Sequence, residues 1–301
     1  MDKKLDYLYK KWTGISAEKS NYASSEEILQ LAKETKLAIS EYRQWEERNK
    51  KLNDIYQLWG NQLKQLDKTD IDLCSSIYSK PYYISIPEKW FERDMVRVMI
   101  VGQEGRGDWK QEGWRDLQPE NLADIEKIKE WHKGYLGRQL GENKSEEYNY
   151  NNSSFWQRFR KINELENCVC CWNNLDKIHR NGKVKCALTD EERKKLHSTE
   201  KKVLDEEINI LNPNIVVFFG YSERESALKA ELESVANKFY GKEKKDYEKL
   251  YEQKIYKVIE GVRTYIFTNH PAWRNQYKPK NYEDNVILTL REAIKEQLGK
   301  I

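Results

Sequence analysis

Four short apolar runs constrain this chain more than any other feature: VRVMIVG over 96–102, NCVCCWNNL over 167–175, NPNIVVFFG over 212–220 and VRTYIFTNH over 262–270. They are rich in β-branched and aromatic residues and do not alternate with polar ones, the pattern of strands buried on both faces. Between them lie segments with helical spacing, over 121–132, 153–165, 189–211 and 222–237, and another over 281–298 closes the chain. Ser153 opens the second of these segments, and Thr189 and Asp190 open the third, all as capping residues. Strands joined by helical crossovers form a mainly parallel sheet with helices on both faces. The expected fold class is therefore α/β: a three-layer αβα arrangement around a four-stranded, mainly parallel sheet. Residues 137–153 are expected as an exposed loop, and 240–260, where charges of both signs fall at helical spacing, as a solvated excursion.

The N-terminal part is different. Ser24 or Ser25 ahead of Glu27 is a capping signal, and Ile28, Leu31, Leu37, Ile39, Tyr42, Trp45, Leu52, Ile55 and Leu58 then recur at three- and four-residue spacing. This predicts one long helix or a helical hairpin laid against a core, with Trp12, Trp45 and Trp59 adding contact area. The division expected is a helical extension over 1–80 and an α/β domain over 81–301.

Charged residues make up 34% of the 301, yet 53 basic and 50 acidic side chains nearly cancel to a formal +3. A nucleic-acid-binding face would therefore be a local patch rather than a bulk field. No apolar run approaches the ~20 residues of a membrane helix, and the opening MDKKLDYLYKKW lacks the apolar core of a secretory signal. The expectation is a cytoplasmic protein with no membrane partner. Of five cysteines, Cys74, Cys168, Cys170, Cys171 and Cys186, three crowd into one strand as small core residues, and no CxxC pair is present. Neither a disulfide framework nor a metal site is expected.

In a parallel sheet with helical crossovers, ligands bind beyond the carboxyl ends of the strands. Three such segments carry reactive groups. The first is Gly102-Gln103-Glu104-Gly105-Arg106-Gly107, a glycine-rich turn whose carboxylate, Glu104, is placed to orient or deprotonate a water. The second is Asn173-Asn174, whose amides offer a donor and an acceptor to the edge of a pyrimidine. The spacing leaves open which of the two faces the site, because one residue of register turns a side chain to the other face. The third is Asn269-His270-Pro271-Ala272-Trp273-Arg274, where the His-Pro step aims an imidazole suited to a developing anion.

The order and content of these segments resemble the uracil-DNA glycosylase superfamily over roughly residues 94–298. Gly102-Gln103-Glu104 is similar to its first motif, the asparagine at 174 to its base-reading residue, LNPNIVVFFG to its penultimate strand, and His270-Pro271-Ala272 to its last motif. The resemblance implies a glycosylase that flips a nucleotide into a pocket and needs no cofactor, with DNA as partner. It implies that Glu104 positions the water, Asn174 reads the base and His270 stabilises the departing base. Phe155 would stack on the base, with Trp109 and Trp114 as rivals, and Gln103 would line the pocket. Trp273 or Arg274 would enter the vacated stack, and Arg274, Lys278 and Lys280 would hold phosphates.

Two departures bear on substrate. The uracil-specific branch has a tyrosine two residues after the acid, where it blocks a 5-methyl group; Arg106 stands there in this chain. Arg106 removes that block and offers donors to a polar 5-substituent, pointing to hydroxymethylated or glucosylated cytosine in phage DNA and a role in anti-phage defence. The cysteines, including the pair Cys170 and Cys186, do not match the spacing of the iron–sulfur branch. The alternatives are a uracil-excising repair enzyme and a non-catalytic DNA-binding module; a protein-interaction scaffold built on the N-terminal helices is a third.

Overall fold

A computed structural model describes residues 6–12, 24–69, 78–102, 118–141, 153–179, 189–219, 255–271 and 281–300. Its helices are α1 (6–12), α2 (Ser25–Thr69), α3 (Leu122–Leu140), α4 (Ser154–Asn163), α5 (Asp190–Leu211) and α6 (Tyr282–Leu298). Its strands are β1 (Val96–Gly102), β2 (Cys168–Asn174), β3 (Ile215–Phe219), β4 (Ile255–Glu260) and β5 (Arg263–Thr268). The sheet has the order β2-β1-β3-β5-β4. The four strands read from the apolar runs are mutually parallel, and β1 lies inside, with Val96, Val98, Met99, Ile100 and Val101 fully buried.

The sheet has a fifth strand that the four-strand expectation lacked. Part of the segment expected as a solvated excursion, Ile255–Glu260, pairs antiparallel with β5 at the sheet edge. Ile255 is buried, and Lys257 on the same face reaches Glu296 of α6 at 2.6 Å, while Ile259 and Glu260 are exposed where the edge strand ends. The helix expected over 222–237 lies outside the described residues, as do residues 142–152 of the loop expected over 137–153; residues 137–140 of that loop instead continue α3, which is capped by Gly141 and has Gly137 and Gln139 buried.

Side chains of β2 show how the layers form. Trp172 packs on Trp156 of α4 on one face of the sheet, and Asn173 bonds Glu207 of α5 on the other. Helix α5 is backed in turn by α2, and α4 packs with α6. The result is a mixed α/β fold around a five-stranded, mostly parallel sheet, consistent with three αβα layers. The expected caps form: Ser24 and Glu27 bond each other's backbone N–H, as do Thr189 and Glu192, and Ser153 caps α4; Asn121, not singled out from the sequence, caps α3.

Helix α2 runs 45 residues, roughly 67 Å at 1.5 Å per residue. Its C-terminal half enters the main core through Leu52, Tyr56, Trp59 and Leu63, spaced to share one face. Its N-terminal half builds a small separate cluster, in which Leu31 and Ala38 meet Leu8 and Trp12 of α1. The Trp12 indole donates to Thr35 Oγ1 at 2.8 Å. Leu31 and Leu52 of the expected stripe are buried, but Ile28, Ile39 and Leu58 are exposed; tertiary contacts select Ala38, Tyr56 and Leu63 instead. At Gly60 a Cβ would stand 2.3 Å from the Pro119 carbonyl oxygen, so the absence of a side chain lets α2 seat on the segment leading into α3. No described helix is long and apolar enough to cross a membrane.

Candidate functional site at the carboxyl ends of the parallel strands

The exits of β2 and β1 meet in register, Gly102 opposite Asn174, and the Leu175 N–H donates to the Gly102 carbonyl at 2.8 Å. A Cβ on Gly102 would stand 2.8 Å from Asn174 Oδ1 and 3.0 Å from Phe155 Cε2. Gly102, Asn174 and Phe155 therefore converge on one point at the sheet's carboxyl edge. Glycine is required there by close approach rather than by backbone angle. Phe155 sits in the first turn of α4, where it meets Phe219 at the exit of β3 edge-on, ring centroids 5.5 Å apart.

The register separates the two asparagines. Asn174 faces α4, whereas Asn173 faces α5 and belongs to a closed polar node. Asn173 Nδ2 donates to Glu207 Oε2 at 2.8 Å, and its Oδ1 accepts from the Asn174 backbone N–H at 2.8 Å and from the Lys177 ammonium. Lys177 Nζ is 2.5 Å from Glu207 Oε2, with both side chains fully buried, and Glu207 Oε1 accepts from the Tyr56 hydroxyl of α2 at 2.6 Å. Burial pulls the Lys177 amine below its ordinary value, opposed by Glu207, and pushes the Tyr56 hydroxyl well up. This node holds the turn after β2, so Asn173 carries Asn174 without sharing its face.

Two strands along from β1, the exit of β5 is anchored from α4. Arg158 forks onto Glu283 of α6, Nε to Oε2 at 2.8 Å and Nη2 to Oε1 at 2.7 Å. Its Nη1 donates to Thr268 Oγ1 at 3.1 Å and to the Asn269 carbonyl at 2.9 Å. The Asn269 N–H donates to the Tyr282 hydroxyl at 2.7 Å. The residue immediately before His270 is thus fixed on both its peptide groups, and His270 stands half-buried between Asn269 and the buried Pro271.

Of the residues singled out from sequence, Asn174 and Phe155 come together, Asn173 lies on the opposite face, and His270 follows the anchored exit of β5. Gln103, Glu104 and Arg106 lie outside the described residues, as do Trp109, Trp114, Trp273, Arg274, Lys278 and Lys280. The sequence reading missed Glu207, Arg158 and Trp172. For the first two a signal existed. Glu207 falls between Val203, Leu204 and Leu211 on the buried stripe of α5, and Arg158 falls between Phe155 and Ile162 on α4. A charge at a core position of an amphipathic helix requires a partner.

Cys168, Cys170 and Cys171 are unpaired and buried in β2, while Cys74 and Cys186 lie outside the described residues. Among the described residues no cluster of His, Cys, Asp or Glu is arranged to hold a metal ion.

Two histidines flank the site's outer wall. His132 of α3 stacks on Tyr82, 4.3 Å between centroids, and its Nδ1 lies 3.1 Å from the Tyr83 carbonyl, which makes that nitrogen the donor of a neutral ring. Burial lowers the pKa of His132 to about 4, with Lys177 and His179 adding to the effect against the Tyr83 hydrogen bond. Burial alone lowers that of His179 to about 4. Both folded values lie below the unfolded value, so the stability they confer is complete above about pH 6.5 and is lost as pH falls towards 4. Each histidine is expected to withdraw on the order of 3 kcal/mol across that window. Urea midpoints measured from pH 7 to pH 4.5 should fall steeply in the wild type and less steeply in His132→Phe. An unchanged slope in the variant would show that His132 titrates normally.

Comparison with protein-family models finds no match, and comparison with curated proteins finds none.

Proposed function

We propose that this chain is a DNA glycosylase that excises a flipped pyrimidine by hydrolysing its N-glycosidic bond, and that its substrate is a 5-modified cytosine of phage DNA. The observation that carries the reading is the convergence at Gly102 of a buried amide, Asn174, and an aromatic ring, Phe155, at the carboxyl edge of a parallel sheet. A planar base needs a face to stack on and an edge-reading amide beside it, with no side chain between them. The similarity of Gly102-Gln103-Glu104 and His270-Pro271-Ala272 to the glycosylase motifs supplies the chemistry.

In that chemistry Glu104 orients a water towards C1′. As the new C1′–O bond forms, the C1′–N bond breaks and its electron pair leaves with the base. His270 donates a hydrogen bond to the negative charge growing on the base. The water's second proton passes to the carboxylate, the departing anion takes up a proton from solvent as the carboxylic acid gives its own back, and the products are the free base and an abasic site. Arg106, where a methyl-blocking aromatic would otherwise stand, favours a polar 5-substituent; a role in defence against phages with modified DNA follows from that substrate. Trp273, Arg274, Lys278 and Lys280 would contact the DNA around the flipped nucleotide.

Duplexes carrying uracil, 5-hydroxymethylcytosine or glucosylated hydroxymethylcytosine, treated with the protein and then alkali, test the reading. Strand cleavage is expected on the modified cytosines, falling at least about 100-fold in Glu104→Gln and in His270→Ala. DNA binding with no abasic product would overturn the catalytic reading, and release of uracil alone would overturn the substrate.

A further inference from the structure

The Asn174 carboxamide is not free to choose which edge it presents. Its Oδ1 accepts a hydrogen bond of 3.0 Å from the Trp172 indole nitrogen. An indole N–H only donates, so the atom facing it is necessarily the amide oxygen. The same oxygen is crowded by Gly102, where a Cβ would lie 2.8 Å away. The oxygen side of the amide is thus occupied by protein. Asn174 Nδ2 has no hydrogen-bond partner among the described residues, although the side chain is 3% exposed. That nitrogen is not among the side-chain atoms sealed in the interior without a partner, so it, rather than the oxygen, is left open to a ligand.

Trp172 cannot swing away cheaply. Its ring packs against Tyr82 at 4.7 Å, Trp156 at 4.9 Å and Tyr135 at 5.8 Å between centroids, and its carbonyl accepts from the Tyr82 hydroxyl at 2.7 Å. The backbone of Asn174 is held from the other face by Asn173 and Lys177. Rotating the amide by half a turn would set Nδ2 against the indole N–H, donor against donor.

We propose that Trp172 is a specificity-determining residue: by fixing the Asn174 amide with its nitrogen outward, it selects a 4-aminopyrimidine over a 4-oxopyrimidine. This rests on the glycosylase reading above. A cytosine-type ring offers adjacent acceptors at N3 and O2. A uracil-type ring carries a hydrogen on N3, which would meet the outward N–H of Asn174. An amide free to flip pairs with N3 of either ring, whereas one fixed with its nitrogen outward pairs with N3 only in the first and meets N3–H donor to donor in the second.

The test uses two bases that share their 5-substituent and differ at the 4-position, 5-hydroxymethylcytosine and 5-hydroxymethyluracil, in otherwise identical duplexes. Excision rates and binding affinities are measured for the wild type, for Trp172→Phe, which keeps a ring in the cage and removes the N–H, and for Asn174→Asp, which offers acceptors only. The wild type is expected to favour the cytosine-type base by about 10–100-fold, the effect of one mismatched buried donor. Trp172→Phe should compress that ratio about tenfold, and Asn174→Asp should reverse it. A wild type that prefers 5-hydroxymethyluracil overturns the proposal, as does an unchanged ratio in both variants, while the glycosylase reading stands. If Trp172→Phe does not fold, the ratio in Asn174→Asp decides. If the wild type releases neither base, nor uracil, the glycosylase reading itself is overturned.

Discussion

Replacing Glu207 by alanine is expected to destabilise the protein by about 3–5 kcal/mol, the cost of breaking a buried ion pair from one side. The side chain is fully buried and accepts from Tyr56, Asn173 and Lys177, so its loss takes an acceptor from each of three donors and leaves the Lys177 ammonium with Asn173 Oδ1 alone. The largest part of the cost is Lys177, whose ammonium has no route to water. Urea unfolding of the two proteins gives the difference, and a loss below about 1 kcal/mol would show that the node relaxes around the gap. The deficit also has a pH signature. Burial already lowers the lysine below its ordinary value of 10.5, and removing Glu207 removes the main influence that raises it. The neutral amine is far cheaper to bury than the ammonium, so the deficit should shrink as pH rises towards that value. The double variant Lys177→Met with Glu207→Gln should recover a large part of the stability, because no charge is then buried alone.

Arg158→Ala is expected to cost about 2–4 kcal/mol and to loosen the exit of β5. The guanidinium is 2% exposed, makes two bonds to Glu283 and one each to Thr268 Oγ1 and the Asn269 carbonyl, and lies 4.9 Å over the Phe219 ring. A lysine keeps the charge but cannot reproduce the planar fork, so Arg158→Lys should recover only part of the loss. Amide hydrogen exchange separates the local effect from the global one. Protection at Thr268 and Asn269 should fall further than at β1, where no group bonds Arg158. On the glycosylase reading excision should also fall by about 100-fold, since a 1 Å displacement of a group at the reacting centre carries that penalty. Exchange unchanged at Thr268 and Asn269 would mean that Tyr282, which accepts from the Asn269 N–H, suffices to hold the turn.

The parallel strands were legible in sequence because each is covered on both faces and must be apolar along its whole length; Val98–Val101 and Ile215–Phe219 have no polar alternation to confuse with a helix. Strand β4 was not, because it is an edge strand that carries Lys257 and Glu260, directly after a segment dense in Lys and Glu. On α2 the periodicity showed a helix but not its contact face, which Tyr56 and Leu63 settle by meeting the core. Within the candidate site, residue types at strand ends were legible and their facing was not. Asn173 and Asn174 are interchangeable in composition, and only the pairing of Asn174 with Gly102 turns one towards Phe155 and the other towards Glu207. The supporting groups were hidden because their partners are remote: Tyr56 and Glu207 are 151 positions apart, Arg158 and Glu283 are 125 apart.

Those separations also set an order of assembly. Strand β2 is the outer strand of the parallel set, and its turn is closed by backbone bonds from Ser79 to His179 and from Tyr82 to Lys177. The node beneath it joins α2 to α5, so it cannot close while a ribosome is still making residues before 207. Contacts of such long range slow folding, and chains are made from the N-terminus onward. A newly made chain therefore holds α2 and β1 well before it can bury Lys177, and until α5 arrives that lysine and Asn173 remain wetted. The rim bearing Asn174 is among the last parts of the molecule to become dry.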